Sequence, residues 1–186
     1  MKEPAIILIA LGAAILWACG GDDYAVFEAN NPNDLSECMA EQFPFEPTFL
    51  AAQTYNDRTA LHLQTVADTN SFHDAVVFNI YDPDAIEPGE VLELQQASAP
   101  PAGVRGKMVF FSSCPFGHDT LTLEGTVRFD EFGTQSGSII AGEFVDMRAI
   151  DARSGETKLE SLSGSWSFEV RHGPPYEDFY AVPERP

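Results

Sequence analysis

The chain has 186 residues and carries 29 Asp and Glu against 10 Lys and Arg, a formal net charge of −19 at pH 7. A surface this acidic repels phosphate backbones, and no run of Lys or Arg in the sequence overrides that, which argues against nucleic acid as a partner. It also opposes lying flat on anionic lipid. The length suits one domain with a core of its own.

The chain opens with Lys2 and Glu3, then an uncharged run, AIILIALGAAILWA, from Ala5 to Ala18. That run has the length of a signal-peptide apolar region and falls short of the roughly 20 residues a membrane helix needs. At its end, Leu16-Trp17-Ala18-Cys19 resembles the lipobox of bacterial lipoprotein precursors: a branched apolar residue, a tolerant position filled here by Trp17, a small residue and a cysteine. The resemblance covers this leader and nothing behind it. It implies that 1–18 is a signal peptide cleaved after Ala18. The Cys19 sulfur would take a diacylglycerol, and the new amine a further acyl chain. Each buried methylene adds about 0.8 kcal/mol, so several chains hold a protein firmly to a membrane. Gly20 rather than Asp after Cys19 implies outer-membrane sorting in a Gram-negative cell. The expected location is thus the cell envelope, with the membrane reached through lipid.

Of the three cysteines, lipid would use Cys19, and Cys38 and Cys114 remain as an even pair. In an exported protein such a pair is expected to be a disulfide. It would close a loop of about 77 residues and contribute about 4 kcal/mol.

Residues 19–32 read as a tether, rich in Gly and Asp and then Asn, in which Tyr24, Val26 and Phe27 are able to dock. The single domain is expected over 33–186. A short helix is expected over 33–42, capped by Asn33 or Asp34 and ended by Pro44, with Cys38 on its inner face. From Thr48 onward, alternation of apolar and polar residues between turn clusters predicts strands at 49–55, 59–66, 74–81, 90–97 and 107–113. Three similar segments follow: Leu123–Phe129, Ile140–Phe144 and Leu162–Phe168, each with a glycine (Gly125, Gly142, Gly164) in phase with its large apolar residues. A glycine on the packed face of a strand marks a bulge, a bend or a close backbone approach, and three in succession suggest a curved antiparallel meander. The tail after Gly173, with Pro174, Pro175, Pro183 and Pro186, is expected to be irregular. The fold expected is all-β: an antiparallel β-sandwich or a calycin-like barrel of about eight strands, with one short N-terminal helix.

The sequence carries no nucleophile elbow, zinc-protease helix, P-loop or dinucleotide fingerprint, so no enzyme class or cofactor is indicated. Two His-Asp pairs, His73-Asp74 and His118-Asp119, would make a zinc or acid-base site if they met, but polar residues at strand ends read the same way. Asp82, Asp84, Glu87 and Glu90 gather carboxylates such as hard cations take, without the glycine spacing of a calcium loop. Phe110, Phe129, Phe144, Trp166 and Phe168 fall on inward positions, where they either fill a core or line a cavity. The function expected is a non-enzymatic binding or structural module at the envelope, acting on envelope proteins. The alternatives are a carrier of a small apolar ligand and a metal-dependent protein built on the His-Asp pairs.

Overall fold

Alternation of apolar side chains sets most of the strands. In the computed structural model, residues 23–30, 35–67, 73–95, 103–114, 120–174 and 176–181 are described. They form one twelve-stranded antiparallel sheet. Its strands are β1 (Tyr24–Ala29), β2 (Phe49–Thr54), β3 (Thr59–Gln64), β4 (Ala75–Ile80), β5 (Val91–Glu93), β6 (Val104–Val109), β7 (Thr120–Phe132), β8 (Ile139–Asp151), β9 (Thr157–Leu159), β10 (Leu162–Glu169), β11 (Arg171–Gly173) and β12 (Tyr176–Ala181).

The strand order is β1-β10-β8-β7-β6-β4-β3-β2-β12-β11, with β5 beside β7 and β9 beside β8. From β2 to β10 the path is therefore a meander in chain order. Its edges are not local: β1 adds to β10 and β12 adds to β2. Only Val170 separates β10, near one end of the order, from β11 at the other. The segment 162–173 thus contacts both ends, and the sheet curls into a half-barrel.

Several expectations change. The strands exceed the eight anticipated, because short edge pieces join the sheet. Residues 24–29, placed in the tether, are β1, whose Phe27 is fully buried. Residues 176–181, placed in the irregular tail, are β12. The helix shrinks to one turn, α1 (Glu37–Ala40), where Ser36 accepts from the Met39 amide as N-cap. The strand placed at 107–113 runs over β6 instead, since the chain turns at 111–113. The strand placed at 90–97 keeps only β5 and a bridge from Leu94 to Val104.

Inward residues come in register. Leu50, Leu61, Leu63, Val76, Phe78, Met108, Leu121, Phe129 and Trp166 are all buried on the concave face. The rings of Phe78, Phe129, Phe144 and Trp166 pack against one another with centroids 5.2–6.1 Å apart, and Phe27 of β1 lies 5.2 Å from Phe144. These contacts make the interior a packed core. Each aromatic buries on the order of 150–250 Å², so the cluster dominates the hydrophobic term.

The three glycines do mark close approach. A Cβ on Gly164 would lie 2.2 Å from the Phe27 ring, and one on Gly142 2.7 Å from the Trp166 ring. Gly125 has φ +128°, beside the register shift at Thr126–Val127 that bends β7 against β8.

Candidate functional site

Cys19 and the leader lie outside the described residues, as does His118. Cys38 and Cys114 are disulfide-bonded, with Cα atoms 5.9 Å apart. The bond ties α1 to the turn after β6. A helix of four residues cannot stand by itself, so this bond and the buried Met39 hold it in place.

The described half of the His-Asp idea is structural. Asp74 is buried, and its Oδ1 accepts from the amides of Ser112 and Ser113 at 2.9 and 3.2 Å. Its Oδ2 accepts from the Ser113 hydroxyl. Asp74 thereby fixes the turn that presents Cys114. His73 beside it is half-buried. Asp82, Asp84, Glu87 and Glu90 surround a 3₁₀ turn at Pro83–Ala85, and all four are exposed. Among the described residues, no group of three or more His, Cys, Asp or Glu is placed to hold a metal.

Several clefts open on the surface, and two of them gather charged side chains against the sheet. One, of about 490 Å³, lies at the end of the half-barrel, where Ile86, Phe132 and Phe179 meet Asp84, His172 and Asp178. Its polar groups already serve the fold: Asp178 accepts from the Thr54 amide at 2.6 Å, and a His172 ring nitrogen lies 2.9 Å from the Thr134 carbonyl. The other, of about 380 Å³, is lined by Glu93, Glu124, Asp146, Arg148 and Glu160. There Arg148 pairs with Glu124 at 2.7 Å. Among the described residues, the exposed large apolar side chains fall on separate elements: Tyr24, Tyr55, Val66, Val91 and Val145. Such residues make no apolar partner surface.

Two titratable groups that burial shifts sit elsewhere, on the convex face. His62 of β3 is held at a pKa of about 4, first by burial and then by Lys107. Lys107 of β6 is lowered by burial and then by Arg58. Perturbed groups of this kind concentrate at functional sites. The alternation of β3 shows His62 opposite in phase to Leu61 and Leu63. It does not show that the convex face is half-covered, nor that β6 lies two strands away.

No family model matches this chain, and no curated protein or solved structure matches it either.

Proposed function

We propose that this protein is a lipid-anchored envelope lipoprotein whose β domain is a binding module without chemistry of its own. The Cys38–Cys114 disulfide carries this reading. Structural disulfides belong to oxidising compartments, and the pairing leaves Cys19 as the odd cysteine, at the place where the lipobox resemblance puts the lipid. The meander, curled around an aromatic core, supports the barrel form over the sandwich. The packed aromatic interior favours a ligand bound at the surface over an apolar one enclosed in the barrel.

Cys19→Ser tests the anchor in the producing cell. The variant is expected to be unlipidated, and to appear as an uncleaved precursor or in the soluble fraction. Mature, membrane-anchored protein made normally from Cys19→Ser would overturn the proposal.

A further inference from the structure

We propose that the convex face of β3, β4 and β6 is a binding site for a phosphoryl group, built from Arg58, His62 and Lys107 beside Arg105. The strand register brings these residues together. His62 pairs with Val77, and Val77 with Lys107, so these three form one row across the sheet. Ala60, Asn79 and Arg105 form the next row. Strands lie about 4.8 Å apart, so His62 and Lys107 stand about 10 Å apart at the backbone, flanking the short side chain of Val77. Val77 is buried and gives an apolar floor. Arg58 reaches over the adjacent row, where its Nε donates to Asn79 Oδ1 at 3.0 Å.

The anomaly is the charge. In a chain with 29 acidic residues, the other cations find carboxylates readily: Arg128 meets Asp130 and Glu143, Arg148 meets Glu124, and Lys158 meets Glu156. Lys107 pairs with no carboxylate among the described residues, and the charge it feels is that of Arg58. Burial adds to the cost of keeping it charged. Lys107, beside a neutral imidazole on a half-buried face, is the cation left for an anion that arrives from solution. Arg58 uses one donor on Asn79 and one on Asp57, at 2.9 Å, out of the five that a guanidinium carries. Tyr55 lies 4.4 Å under this guanidinium, and Tyr81 backs Arg105 at 5.5 Å, which limits how far either can swing. Donors from the turn before β3, from β3 and from β6 share one face of the sheet, and a tetrahedral oxyanion accepts from several directions at once. Charge-assisted bonds to phosphate are the strong class. The acidity of the whole chain does not oppose this, because a single phosphoryl group meets the local field, whereas a polyanion meets all of it.

This site deepens the binding-module reading, but its readout does not depend on Cys19, so the anchor and the site fail separately. The test uses the full chain in non-ionic detergent for calorimetry, and the unlipidated full-length Cys19→Ser chain without detergent for flotation. Inorganic phosphate and glycerol 3-phosphate are titrated in by calorimetry against chloride at equal ionic strength. In parallel, flotation compares vesicles of phosphatidylglycerol in phosphatidylcholine with vesicles of phosphatidylcholine alone. Saturable binding of the soluble phosphates identifies a free phosphate or phosphate ester. Binding only to the phosphatidylglycerol vesicles identifies a lipid headgroup. In either case Lys107→Gln and Arg58→Gln are expected to weaken binding at least about tenfold each, while Arg128→Gln leaves it unchanged, with the thermal midpoint of each variant checked. Absence of binding in both arms overturns the proposal. So does binding that survives both shelf substitutions, or that falls equally with Arg128→Gln.

Discussion

Replacing both Cys38 and Cys114 by alanine removes a crosslink between residues 76 apart. In the chain-entropy description a loop of that length constrains the unfolded chain by about 4.5 kcal/mol. Domains of this kind are stable by only about 5–15 kcal/mol, so the variant retains a small remainder. Two further consequences follow from the same bond. The unfolded chain expands when the link is cut, so the denaturant slope rises along with the fall in midpoint. Locally, α1 loses its covalent tie to the turn at 111–114 and is left with the Ser36 cap and the buried Met39. The assay is urea unfolding followed by Trp166 fluorescence, with hydrogen exchange of the Ala40 and Glu41 amides, which bond to the Ser36 and Glu37 carbonyls. The expected result is a loss of about 3–5 kcal/mol, with those amides exchanging first. A loss below about 1 kcal/mol, or an unchanged slope, would refute the argument that the link acts through the unfolded chain.

The remaining predictions concern pH and backbone. His62 has a folded pKa of about 4 against 6.5 when free, so between these values the unfolded chain binds the extra proton. Its contribution is therefore complete above about pH 6.5 and is lost as pH falls toward 4, by about 3 kcal/mol. The stability difference between His62→Gln and the parent should narrow or invert over that window in urea titrations at pH 7 and 4.5. A pH-independent difference would contradict the burial of a neutral imidazole there. Gly125→Ala places a Cβ 2.0 Å from the Asp146 carbonyl oxygen at φ +128°, and is expected to cost at least about 2 kcal/mol. Gly137→Ala meets no atom within 4 Å at φ +83° and should cost about 1 kcal/mol. Equal thermal midpoints for the two variants would refute the close-approach account of Gly125.

Much of the sheet is legible in the sequence because many of its strands set large apolar residues on the concave face against polar or small ones on the convex face. Leu61 and Leu63 against His62, or Val127 and Phe129 against Arg128, announce both strand and facing. The repeated glycines announce the curvature, and the parity of the cysteines announces the disulfide. The edges are not legible. β1 and β12 owe their structure to partners more than 120 residues away in the chain, Tyr24 pairing with Ser167 and Phe179 with Ala52, so local composition reads as tether and tail. The end of β6 is also misjudged, since the chain turns after Phe110, where Asp74 captures the amides of Ser112 and Ser113. The convex-face cations escape for a similar reason. Arg58 and Lys107 belong to separate strand units of the meander, and only register makes them neighbours. A search for a basic run finds nothing, because the cluster exists in space alone.

The anchored state is tested most directly by the intact mass of the protein extracted from native membranes. The account predicts a mass equal to residues 19–186 plus acyl chains, with Cys38 and Cys114 joined and two hydrogens lighter than the reduced chain. A mass equal to all 186 residues without lipid, or free thiols at both positions, would contradict it.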